Sequence, residues 1–311
     1  MLGRLAIASC LLALGCGDGE SASTSGGTGG AGGSAGAATG GSAGKAPCSE
    51  DHGPGAVCVM EVKGRTVDAQ GAPLGQISTS VCGFICWYGE SDATGAFSVS
   101  IGERIVPTEF STLPHGRPTR TSFYFALPEV TSESVEVGDL PLLDLPPSGP
   151  SLVVWHEKQG APAQTVTSGE LTLEIGAGTQ VKLDVEDVAL GAEGKQFRAL
   201  GIPAAKRPAF AGEALGLGAL WALTPFEAAV IDQASGSPAL ARISADNTLG
   251  LPADTAVEWL ALGSYLFADW VKPAAFEVVA SGKVSTDGTR IEMDAGQGVR
   301  YLTWLGVRKK P

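Results

Sequence analysis

Apolar and polar residues alternate along much of the chain with a period of two. Phe97, Val99 and Ile101 are separated by serines. Leu171, Leu173 and Ile175 form a second such run, and Val181, Leu183 and Val185 a third. A period of two puts one set of side chains on one face of an extended strand, so each run predicts a half-buried β-strand. Turn chemistry punctuates the runs. Asp68-Ala69-Gln70-Gly71 and Asp92-Ala93-Thr94-Gly95 each pair an Asp that can bond its own backbone with a Gly that tolerates positive φ. An Ala-Gly-Thr turn between Ile175 and Gln180 predicts a hairpin joining the second and third runs. "FEVVASGKVSTDGTRIEMDAGQGVRYLTWLGV", near the end, predicts three more strands, with turns at Asp287-Gly288 and at Gly296 and Gly298. Helical periodicity is scarce, and the expected class is all-β.

The proline-rich stretch "LDLPPSGPS", Leu143 to Ser151, interrupts the pattern. Pro146 to Pro150 offer few backbone donors for a ladder. The expectation is two β-sandwiches in tandem, residues 48–146 and 150–311, each folding on its own.

The N-terminal 47 residues read differently. Arg4 precedes an apolar run, Leu5 to Gly15, too short to cross a bilayer. It ends in Ala13-Leu14-Gly15-Cys16, which resembles the lipobox of bacterial lipoproteins, with Ala13 where Leu is usual. The resemblance implies a signal peptide over 1–15 and a lipidated Cys16; an ordinary signal peptide is the alternative. From 17 to 44 almost every residue is Gly, Ser, Ala or Thr. Such a segment cannot offset its ordering entropy by burial, so 16–47 reads as a lipidated cysteine and flexible tether with a reach of roughly 30 Å. The implied location is the cell envelope, reached by export and held by an N-terminal lipid. Asp18 leaves the choice of membrane open, with the outer membrane expected.

Export bears on the cysteines. With Cys10 removed and Cys16 lipidated, Cys48, Cys58, Cys82 and Cys86 remain, and four cysteines in an exported chain read as two disulfides. Zinc would favour C-x-x-C spacing, whereas these intervals are ten, twenty-four and four. Three connectivities are open. Short loops favour 48–58 with 82–86, the second pair requiring a turn at Gly83 because four extended residues separate the sulfurs too far.

"VKGRTVDAQGAPLGQISTSV" from Val62, followed by "SDATGAFSVSI" from Ser91, resembles the carboxypeptidase regulatory-like domain, a small transthyretin-like sandwich. The likeness rests on Gly64, Val67, Asp68, Gly71, Pro73, Leu74 and Gly75, then on Asp92, Gly95 and Phe97. It implies a fold and no chemistry, and "CGFICW" departs from it. "GELTLEIGAGTQVKLDV" from Gly169 is distantly similar to the opening of the ZU5-type sandwich.

A net charge of −12 argues against a nucleic-acid partner. No H-E-x-x-H or G-x-S-x-G occurs, and His52, His115 and His156 stand apart in sequence. No catalytic residue, metal or cofactor is therefore expected, although carboxylates brought together by folding stay open. Trp155, Trp259 and Trp304 sit in strand-like contexts and read as core. Trp87, Tyr88 and Trp270 are the candidate ligand-binding aromatics. Around the Cys82–Cys86 loop two readings compete: a rigid recognition loop, or a plug in which Phe84 and Ile85 close the sandwich end and only Tyr88 meets solvent. The functional expectation is a non-catalytic binding or adhesion module for a glycan or protein. The alternatives are a structural envelope protein and an enzyme, or accessory subunit of one, acting on surface polysaccharide.

Overall fold

The structure, a computed structural model, describes residues 48–106, 109–114, 117–127, 133–155 and 160–311. The signal segment, Cys16 and the tether, with His115 and His156, lie outside the described residues.

The chain is all-β. Its first seven strands are β1 (Val57–Val67), β2 (Ser78–Cys82), β3 (Cys86–Glu90), β4 (Ala96–Ile105), β5 (Glu109–Leu113), β6 (Phe123–Phe125) and β7 (Ser134–Pro141). They form two sheets, β4-β1-β7 and β3-β2-β5-β6. The alternation read from the sequence holds in β4, where Phe97, Val99 and Ile101 are buried and Ser98 and Ser100 are exposed. Both Asp turns form. Asp68 Oδ1 accepts the Gln70 and Ala72 amides, and Asp92 Oδ1 those of Thr94 and Ala96. Gly95 has φ +78° and lies so close to the Thr66 carbonyl that a Cβ would stand 2.4 Å from its oxygen. Only glycine satisfies both demands.

The strands beyond the proline-rich joint are β8 (Gln164–Ser168), β9 (Leu171–Ile175), β10 (Thr179–Lys182), β11 (Arg198–Gly201), β12 (Ala219–Thr224), β13 (Ala229–Asp232), β14 (Ala241–Asp246), β15 (Ala256–Leu262), β16 (Phe276–Val284), β17 (Arg290–Met293) and β18 (Leu305–Lys309). Nine of them form one sheet in the order β11-β12-β18-β15-β16-β17-β14-β9-β8, and β10 pairs with β13. The large sheet curls until its ends approach: the Ala199 amide of β11 donates to Ser168 Oγ of β8 at 3.0 Å. Inside lie Leu171, Leu173, Val257 and Ile291, with Trp221 and Trp259 stacked at 6.0 Å.

The expected hairpin between β9 and β10 does not form, because β9 pairs with β8 and β14 while β10 pairs with β13. Nor does the third run stay extended. Asp184 caps a short helix, α1 (Val185–Ala189), by accepting the Asp187 amide at 2.7 Å, and Val185 is left 75% exposed. An N-cap preference outweighed a three-residue alternation.

The joint at Pro146–Pro150 does not divide the core. Residues 45–311 form one compact unit, and one apolar cluster joins Val62, Phe97, Phe110 and Phe123 to Leu220, Leu260 and Trp304. Phe210 stacks on Phe123 at 5.3 Å and Phe125 at 6.2 Å, and meets Trp304 edge-on at 5.4 Å. Trp304 Nε1 donates to the Ser122 carbonyl at 2.6 Å. Among the described residues no helix is long and apolar enough to cross a membrane.

Candidate functional site

The Cys82–Cys86 hairpin is the first place to look for function. Strands β2 and β3 pair antiparallel from Ser78↔Glu90 to Cys82↔Cys86, so the two cysteines face each other across the ladder with Cα atoms 4.1 Å apart and are disulfide-bonded. Gly83 makes the turn: its amide donates to the Ile85 carbonyl at 2.9 Å, and a Cβ there would lie 2.5 Å from the Val106 carbonyl oxygen. Cys48 and Cys58 form the second disulfide, with Cα atoms 5.5 Å apart.

The plug reading of this loop is not what the structure shows. Phe84 is 78% exposed, Ile85 43% and Tyr88 69%. Trp87 seats the hairpin instead: it is half-buried and packs against the core. The hairpin is thus anchored by one aromatic and presents two others to solvent. Trp270 is a weaker candidate than the sequence promised. It is half-buried against the core and meets Tyr301 edge-on at 5.0 Å, so it is not a free aromatic patch. Trp259 and Trp304 are core as expected. Trp155 is half-buried, with Lys182 Nζ 5.2 Å from its ring centre.

His52, which stands apart from the other histidines in the sequence, belongs to the same end of the molecule. Its ring stacks on Phe84 at 6.4 Å and meets Trp87 edge-on at 5.8 Å. Its Nε2 stands 2.5 Å from Glu103 Oε2, and Glu50 completes a trio whose ligand-type atoms all lie within 4.8 Å of one another.

A second cluster is buried where the two halves of the sequence meet. Glu109 of β5 is 3% exposed, and its Oε2 accepts the Tyr265 amide at 2.8 Å. Glu227 accepts hydrogen bonds from Ser264 Oγ and from the Tyr124 hydroxyl. The Tyr301 hydroxyl donates to the Leu262 carbonyl at 3.0 Å and accepts the Ser264 amide at 3.1 Å. Burial, reinforced by the Glu227 charge, pushes the Glu109 carboxyl up to about 8. Burial raises Glu227 too, against the opposing effect of Ser264 and Tyr124, and it raises both tyrosines. No local spacing announces this cluster, since its members come from β5, β6 and three loops of the second half.

Paired, protonatable carboxyls invite an acid–base reading. The adjoining space argues for a different one. Glu227 opens on a cavity of about 50 Å³, lined also by Arg117, Arg120, Asp184, Asp187 and Phe226. That volume holds a few waters and no sugar ring or peptide. Burial, with Asp184 and Glu186 alongside, also pushes Asp187 up to about 7. The arrangement is an internal polar network shared by the two halves. No family model, curated protein or solved structure matches the chain.

Proposed function

We propose that the chain is an exported lipoprotein, held to the cell envelope through a lipid on Cys16, whose folded part is a non-catalytic binding module. The Cys82–Cys86 hairpin is its recognition edge, and the ligand is a surface glycan or protein. The observation that carries this reading is the exposure of Phe84 and Tyr88 on a hairpin closed by a disulfide and seated by Trp87. Fixing such a loop beforehand reduces the ordering cost of binding, and aromatic rings give large contact area with few rotatable bonds. Two disulfides fit an oxidising compartment. The water-sized space beside the buried carboxyls favours a binder over an enzyme. The resemblance to a regulatory-like sandwich agrees, since it implies a scaffold and no chemistry.

The double variant Phe84→Ala/Tyr88→Ala tests the reading. Both side chains are exposed, so stability should change by under about 1 kcal/mol in total. Labelled wild-type protein should bind a glycan array or intact cells, and the variant should lose at least about tenfold in affinity, the scale of an interface hot spot. Equal binding by the two proteins, or none by either, would retire the recognition edge and leave a structural envelope protein.

A further inference from the structure

We propose that Glu50, His52 and Glu103 form a binding site for a divalent transition metal, with zinc the best match. This goes beyond the recognition edge proposed above and does not depend on it.

The backbone sets up the trio. Residues 50–52 run extended beside the end of β4, with Asp51 bridged to Arg104 in parallel register. The Arg104 amide donates to the Glu50 carbonyl at 2.9 Å, and the His52 amide to the Arg104 carbonyl at 3.1 Å. Two hydrogen bonds from a single residue fix the register. In an extended segment, residues two apart share a face, so Glu50 and His52 project together towards Glu103. The Cys48–Cys58 disulfide and the Cys48 amide, which donates to the Gly102 carbonyl at 2.8 Å, tie down the chain just before them. The trio is therefore assembled by backbone pairing rather than by loose side chains.

The donor set selects the ion. One imidazole nitrogen and two carboxylates make a borderline set suited to Zn²⁺, Co²⁺ or Mn²⁺; calcium prefers six or more oxygens and takes no imidazole. Zinc ligands sit about 2.0–2.2 Å from the metal, which spaces two of them roughly 3.3 Å apart. The ion's arrival would widen the 2.5 Å contact between His52 and Glu103 and draw the exposed Glu50 side chain inwards from a span of at most 4.8 Å. Only side-chain rotation is needed. Phe84 and Trp87 flank the imidazole and limit its swing, which reduces the entropy lost on coordination. The guanidinium of the neighbouring Arg104 is engaged elsewhere, 2.8 Å from the Ala56 carbonyl and 3.5 Å from Asp51. Three protein ligands leave one position of a tetrahedron for water or a ligand atom.

The test is calorimetric titration of ZnCl₂ into untagged, chelator-treated protein, with cobalt absorption to report tetrahedral geometry. One ion per chain is expected. His52→Ala and Glu103→Gln should each weaken binding by at least about tenfold, as large a loss as substituting even a residue that only supports a ligand, with unfolding temperatures in chelator matching wild type. His115→Ala/His156→Ala should bind as wild type. Failure of the wild-type protein to bind zinc would overturn the site, as would undiminished binding by His52→Ala. The readout is metal alone, so neither result bears on whether the hairpin recognises a glycan or protein.

Discussion

Replacing Glu109 by Gln should change the pH dependence of stability more than it changes stability itself. An ordinary Glu titrates near 4.5, and burial moves this one up to about 8. Below 4.5 both folded and unfolded chains hold the proton, and the site adds no slope. Between 4.5 and 8 the unfolded chain releases it while the folded chain keeps it, so the folded state binds more protons and stability falls as pH rises. At about 1.4 kcal/mol per pH unit, a rise from 4.5 to about 8 caps the loss at about 5 kcal/mol. Relaxation around the charge reduces that to roughly a few kcal/mol. Gln keeps an oxygen for the Tyr265 amide and cannot ionise. Wild type and Glu109→Gln should therefore be close in stability at pH 4 and diverge steadily to pH 8, with the variant more stable. A residual slope should persist from Glu227, whose carboxyl is also raised. Urea unfolding followed by tryptophan fluorescence from pH 4 to 9 measures this. Parallel curves for the two proteins, or a variant that loses ground as pH rises, would refute the account of the cluster.

Mass spectrometry of the protein from membranes should find acylated Cys16 as the mature N-terminus, and Cys16→Ala should remain soluble and uncleaved; equal membrane retention of that variant would sink the lipid anchor. Non-reducing peptide mapping should pair Cys48 with Cys58 and Cys82 with Cys86, leaving none of the four free, and reduction should cost on the order of 2–5 kcal/mol. Trp304→Ala should destabilise by about 3–5 kcal/mol, because it removes a ring packed between the halves and the donor to Ser122. Fragments 48–146 and 150–311, prepared separately, should lack the cooperative transition of the whole; a sharp transition in each would restore the proline-rich joint as a domain boundary.

Local chemistry was legible in the sequence, and what was legible followed from short-range rules. The Asp68 and Asp92 turns, the alternation in β4 and β9, the last three strands and the short-loop pairing of the cysteines each depend on a few neighbouring residues. Pairing between distant strands was not legible. Nothing in "EIGAGTQV" says that β9 and β10 part into different sheets, since a turn that joins a hairpin looks the same as one that separates two sheets. Proline at the joint signalled a break in the ladder, which it is, and gave no information about the core, which passes beside it. His52 and Glu103 are 51 residues apart, and Glu109 meets Tyr265 across 156. A site made by such pairings carries no spacing to recognise. Phe84 and Ile85 are apolar and so suggested burial, but closure of the hairpin at Cys82 and Cys86 leaves the turn between them too short to fold back onto the core.

The last strand of the chain is not at an edge. Strand β18 (Leu305–Lys309) lies between β12 and β15 near one side of the nine-stranded sheet, hydrogen-bonded to both, and Trp304 just before it closes over Phe123. A chain delivered N-terminus first therefore cannot complete the large sheet, nor cover the aromatics of its first half, until residues 304–309 arrive. Until then β12 and β15 each lack a neighbour and present unpaired backbone, the kind of exposed edge that invites mispairing. During synthesis the incomplete sheet would persist until residues 305–309 are available to pair. Removing Leu305–Lys309 would leave the large sheet open along a seam between β12 and β15.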